Sequence, residues 1–128
     1  GRKIDFAGWL SGEEKVRALR SAGLLALASR QENFGIVVAE AMASGTPVVV
    51  SDAVALSEDV RRVGAGWVTP EEATGLADVL AAALSSPAER SRRGAAGRRF
   101  AWETFRWAAV ARQLIAEYQA LIARRKAN

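Results

Sequence analysis

Glu32-Asn33-Phe34-Gly35-Ile36-Val37-Val38-Ala39-Glu40-Ala41-Met42-Ala43-Ser44-Gly45-Thr46-Pro47-Val48-Val49-Val50-Ser51 sets two carboxylates on either side of an apolar run, with seven residues between them. An unpaired buried charge costs on the order of several kcal/mol, so Glu40 is expected to face a polar ligand or to find a specific partner. The run from about Phe34 to Ser44 reads as a helix, and Gly45 and Pro47 mark its end. Pro47-Val48-Val49-Val50-Ser51 then has the β-branched character of a fully buried parallel strand.

Outward from this stretch, strands and helices alternate. Ile4-Asp5-Phe6-Ala7 predicts a strand before Gly8, and Ser11-Gly12-Glu13-Glu14 opens a helix carrying Val16, Leu19 and Arg20. Gly23 stops that helix, and Leu24-Leu25-Ala26-Leu27-Ala28 predicts a short buried strand. Downstream, a helix is predicted near Leu56 to Val63 and a strand at Gly66-Trp67-Val68-Thr69. Three helical segments follow, roughly 73 to 85, 87 to 102 and 106 to 125. Such alternation predicts an α/β fold, one parallel sheet covered by helices on both faces, with a helical C-terminal region. Ligands of these sheets bind beyond the carboxyl ends of the strands. That selects three loops: Gly8-Trp9-Leu10, Ser29 to Gly35, and Ser51 to Ser57.

The second loop has the chemistry of a site. Asn33 is expected to cap the helix and leave the amides of Phe34, Gly35 and Ile36 free at its positive end, where an anion is stabilised. Gly35 permits close approach. Glu32 and Glu40 would then span up to roughly 12 Å at about 1.5 Å per residue. A ligand with hydroxyls at both ends and phosphate between them suits that layout, because carboxylates accept hydrogen bonds from paired hydroxyls. Nucleotide-sugars are built this way. Ser29, Ser51 and Asp52 serve equally well as loop caps.

Composition narrows the chemistry. The 128 residues support one domain, and an apolar half supplies a core. There is no cysteine and no histidine, so disulfides, thiolate metal sites and the commonest general base are all absent from this sequence. Neither a metal nor a cofactor is expected, and the apolar runs are too short to cross a membrane. The net charge of +4 is uneven: residues 1 to 85 carry 8 Lys/Arg against 11 Asp/Glu, and residues 86 to 128 carry 10 against 3. The tail arginines Arg90, Arg92, Arg93, Arg98, Arg99, Arg124 and Arg125, with Lys126, would suit anionic lipid or nucleic acid, but a solvated helix face is the better account. Phe100, Phe105, Trp107 and Tyr118 fall at helical spacing and are expected to pack helices rather than to stack bases.

At Ser29 to Val50 the chain resembles the Glu-x7-Glu motif of retaining glycosyltransferases with the GT-B architecture, most closely the family 4 group. Phe34-Gly35, Glu40-Ala41-Met42-Ala43 and Gly45-Thr46-Pro47-Val48-Val49 carry the match. It continues through Gly64-Ala65-Gly66-Trp67-Val68 to Phe105 and Trp107, and so covers most of the chain. The resemblance implies that residues 1–128 are part of a Rossmann-like C-terminal domain binding a nucleoside diphosphate sugar. It further implies that Glu32 bonds the donor sugar as the catalytic carboxylate, and that Glu40 bonds the ribose. Asn33, Phe34, Gly35 and Ile36 would lie against the sugar and diphosphate, and Gly8, Trp9 and Leu10 near the base. For Trp9, ordinary packing is an equal alternative.

The resemblance also implies parts that lie ahead of Gly1: an N-terminal acceptor domain, and a Gly-Arg and a Lys on the donor diphosphate. The chain by itself is therefore expected to be inactive. Its truncated sheet is expected to self-associate through an open edge. The parent is expected in the cytoplasm, with peripheral membrane contact open to it. One departure is visible: Asp52-Ala53-Val54-Ala55-Leu56-Ser57-Glu58 lacks the glycine pair of many relatives, which leaves Glu58 a structural role. The alternatives are an epimerase or hydrolase of the same architecture, a noncatalytic binding module, and, weakest, a nucleic-acid binder.

Overall fold

The computed structural model describes residues 3–70 and 73–127. Its elements run α1 (Gly12–Ser21), β1 (Leu25–Leu27), α2 (Ile36–Ser44), β2 (Val48–Ser51), α3 (Ser57–Val63), β3 (Gly66–Thr69), α4 (Ala73–Ser85), α5 (Pro87–Thr104) and α6 (Trp107–Ala127). All three strands are parallel, in the order β1-β2-β3, with Leu25 opposite Val48 and Val48 opposite Gly66. The central strand β2 is buried at every residue, as its run of valines requires.

Val38, Ala41 and Met42 of α2 join Val48, Val50, Val54, Leu56, Val60, Ala65 and Ala101 in one core. Helix α5 reaches that core because its inner face is glycine. A Cβ on Gly94 would stand 2.2 Å from the Gly45 carbonyl oxygen, and one on Gly97 would stand 3.2 Å from Met42 Cγ. Arg93 closes the far side, donating to the Gly66 carbonyl at 2.5 Å and lying 4.5 Å from the Trp67 ring centroid.

Three expectations change. The strand predicted at Ile4 to Ala7 is absent: residues 3–10 have no regular structure, and Ile4 and Phe6 are 75% and 96% exposed. Four alternating residues gain a ladder only beside another strand, and no described strand lies next to them. Helix α2 opens at Ile36 rather than Phe34, because Gly35 sits in the left-handed region at φ 76° and is the N-cap in place of Asn33. Phe100 and Phe105 do pack, edge to face at 5.5 Å, but Trp107 and Tyr118 are 87% and 62% exposed. Among the described residues of α6 only Ala109 is buried, so this helix leaves the core after its first turn.

Candidate functional site

The loop between β1 and α2 is fixed from two sides. The Ser51 hydroxyl donates to the Ser29 carbonyl, and Glu32 forms an isolated parallel bridge with Val54. Ser29 Oγ accepts from the Gln31 amide at 3.3 Å, so both serines tie the loop rather than standing free. Gly35 is buried beneath it, and a Cβ there would press on Val54 Cγ1 at 3.2 Å. Its left-handed backbone lets the chain turn from the bridge into α2 without a side chain in that gap. Glu32 is half-buried at this turn, and among the described residues its carboxylate has no ion-pair or hydrogen-bond partner.

Helix α2 presents its amino end beside Glu32. Val38 and Ala39 donate to the Gly35 carbonyl, which leaves the amides of Ile36 and Val37 as the unpaired donors of the first turn. Among the described residues the amides of Phe34 and Gly35, just ahead of the helix, also have no backbone acceptor, so the late start of the helix adds Val37 to the expected set of Phe34, Gly35 and Ile36. Phe34 lies before the turn and packs edge-on against Phe105 at 5.7 Å, keeping 43% of its surface exposed. Asn33 is exposed, and Ile36 is 67% exposed at the start of α2.

Glu40 finds a specific partner, one of the two outcomes expected for it. Its Oε1 accepts from the Lys15 ammonium at 2.7 Å, and about a third of the side chain, 34%, remains open to solvent. It lines an open cleft of about 660 Å³ between α1 and α2, opposite Gly12, Glu13, Lys15, Arg17 and Arg20. The cleft wall is anchored: Leu19 is buried, and the Thr46 hydroxyl donates to the Leu19 carbonyl at 2.5 Å. With Lys15 paired to Glu40 and Glu13 on the same wall, Arg17 and Arg20 leave the cleft with a small positive excess, which favours an anionic or hydroxyl-rich guest.

Glu32 does not line this cleft: its backbone bridges Val54, whereas the Glu40 carboxylate faces α1. Residues 32–35 are loop, and only the helical part from Ile36 to Glu40 advances by the helical rise assumed for the whole span. Gly8, Trp9 and Leu10 precede α1 outside the cleft; Trp9 is 91% exposed and Leu10 half-buried. Lys15, Arg17 and Arg20 were not singled out from the sequence as site residues. Lys15 stands one helical turn before the core residue Leu19, a spacing that directs it toward whatever Leu19 packs against.

The basic tail is partly committed to structure. Arg90 donates to the Ala83 and Leu84 carbonyls at 2.9 and 2.6 Å, at the end of α4. Arg92 and Arg93 both bond Glu89, and the Arg92 contact above all holds that carboxyl near 2, against an ordinary 4.5. Glu58 pairs with Arg61 on the exposed side of α3. Among the described residues no helix is long and apolar enough to cross a membrane, and no group of three or more acidic side chains gathers as metal ligands do.

Known proteins share this fold. Residues 1–100 match the family of glycosyl transferases group 1. The MMP alpha-(1->4)-mannosyltransferase of Mycolicibacterium hassiacum is 46% identical over 123 residues, covering 94% of this chain and 30% of that protein. Among solved structures, the sucrose-phosphate synthase of Thermosynechococcus elongatus superposes with a TM-score of 0.79 at 33% identity, over 93% of this chain and 30% of that one. An Anabaena protein, HepE, solved in complex with UDP, gives 0.66 at 28% identity, over 81% of this chain and 29% of its own. The chain thus spans under a third of the length of these relatives. With its parallel sheet and flanking helices it has the Rossmann-like fold of a GT-B C-terminal domain, and it belongs to the group 1 glycosyl transferases.

Proposed function

We propose that the chain is the donor-binding part of a longer, retaining glycosyltransferase that moves a sugar from a nucleoside diphosphate to a hydroxyl acceptor. The observation that carries this reading is the Glu40 cleft against α1, on a helix whose amino end is free, in a chain of the group 1 family. Glu40 accepts from the ribose hydroxyls. The Ile36 and Val37 amides, at the positive end of the helix dipole, stabilise the diphosphate as it leaves. Glu32, unpaired at the turn, bonds the donor sugar and is the catalytic carboxylate. Asn33, Phe34 and Gly35 shape the loop around it, and the segment Gly8-Trp9-Leu10 stands on the base side.

In this mechanism the bond from the anomeric carbon to the phosphate oxygen breaks, and a bond to the acceptor oxygen forms on the same face. The acceptor proton passes to the departing phosphate. No dedicated protein base is needed, which suits a sequence without histidine. An acceptor domain and further cations on the diphosphate belong to the rest of the enzyme, which works in the cytoplasm with peripheral membrane contact open to it. The HepE complex with UDP supports a nucleoside diphosphate as the leaving group.

The test is transfer by the full-length protein, with the product's anomeric configuration read by NMR. A retained configuration is expected, with kcat reduced about a hundredfold or more in Glu32→Gln. Inversion, or full activity in that variant, would overturn the reading. Turnover by the 128-residue chain alone would remove the need for a second domain.

A further inference from the structure

We propose that Lys15 is a positioning residue: its ammonium holds one oxygen of Glu40 so that the other is presented to the ribose, and the pair, rather than Glu40 alone, selects a ribonucleotide. This reading of Lys15 rests on the donor-site reading of Glu40. The two residues come from different helices, 25 positions apart, and meet at 2.7 Å through Oε1 alone. Oε2 is left for a second donor.

The geometry has the rigidity that positioning needs. Lys15 is one turn from Leu19, which is buried and whose carbonyl receives the Thr46 hydroxyl. The backbone at Lys15 is therefore held at a fixed distance from α2. Next to the pair a second hollow is lined by Leu19, Ala43 and Trp102, and the Trp102 indole donates to the Ala43 carbonyl at 3.2 Å. The first cleft is open.

A free glutamate on a helix surface samples several rotamers and loses that freedom when it binds. Lys15 removes the freedom beforehand, which is preorganisation. A half-exposed pair of this kind contributes little to folding, so its effect is expected in binding rather than in stability. Chemistry also favours a hydroxyl guest. A hydroxyl donates and accepts at once, and an ammonium beside a carboxylate offers the matching acceptor and donor. Glu13, Arg17 and Arg20 face the same cleft, but none of them bonds Glu40.

The experiment measures calorimetric affinities of the full-length protein for uridine, guanosine and adenosine diphosphates and for their 2′-deoxy counterparts. Wild type is expected to prefer a ribonucleotide by about tenfold or more, the scale of a hydrogen bond to a charged group. Lys15→Met should shrink that ratio to about twofold with an unchanged melting temperature, while Lys15→Arg restores most of it. Glu40→Gln should shrink it equally, and the double variant no further, because the residues act as one unit. If Lys15→Met does not fold, Lys15→Gln carries the same test. A ratio lost in Glu40→Gln but intact in the folded lysine variants sinks the role of Lys15 and leaves the donor site standing. A ratio intact in Glu40→Gln, or no binding of any of these diphosphates by wild type, sinks both.

Discussion

The strand β2 and the helix α6 are both rich in apolar residues, yet they meet opposite fates. Every residue of β2 is buried between strands and helices, whereas Leu114, Ile115, Leu121 and Ile122 of α6 are each half exposed. Hydrophobicity alone does not bury a segment. Burial comes from having neighbours of matching shape, which β2 finds in β1, β3 and α2 and which α6 finds only at its first turn.

This contrast can be broken first at α5. Gly94→Val places side-chain carbons where the Gly45 carbonyl oxygen already stands, 2.2 Å from the first added atom, and no flexible side chain is there to give way. The expected result is loss of the cooperative thermal transition, or a cost above about 3 kcal/mol in chemical denaturation. Met42→Ala, which opens a cavity under β2, is expected to cost about 2–5 kcal/mol. Leu121→Ser on α6 should change stability of the same chain by no more than about 0.5 kcal/mol. Equal costs for the last two would abolish the distinction between the two regions.

A smaller effect comes from Glu89, whose carboxyl is held near 2 against an ordinary 4.5 by Arg92 and Arg93. Its folded value is the lower one, so the stabilisation is present above about 4.5 and disappears as the pH falls toward 2. The group is exposed, and solvent screening keeps the effect modest. Glu89→Gln should therefore melt slightly below wild type at neutral pH and converge with it near pH 2. A constant gap across that range would deny the pairing.

Much of this was legible in the residues. The valine run of β2, the stop at Gly45 and Pro47, and the periodic helices follow local rules, and the structure repeats them within a residue or two. The first strand was misread because alternation at Ile4 to Ala7 describes a strand's faces and says nothing about whether an edge is there to receive it. The start of α2 was misplaced for a local reason: Asn33 is a good cap by type, but Gly35 takes the left-handed turn that decides where the helix begins. At the site, Glu32 and Glu40 stood out as acids around an apolar run. Lys15 did not, because its meaning lies in a contact with a residue 25 positions away.

The central claim is that Glu40 and Glu32 hold the two ends of a nucleotide-sugar donor. The most direct measurement is a crystal structure of the full-length protein with a nucleoside diphosphate sugar bound. It should place ribose hydroxyls about 2.6–3.0 Å from the Glu40 carboxylate, the diphosphate at the Ile36 and Val37 amides, and the hexose on Glu32. A donor seated away from the α1–α2 cleft, with Glu40 still bonded to Lys15 alone, would contradict it.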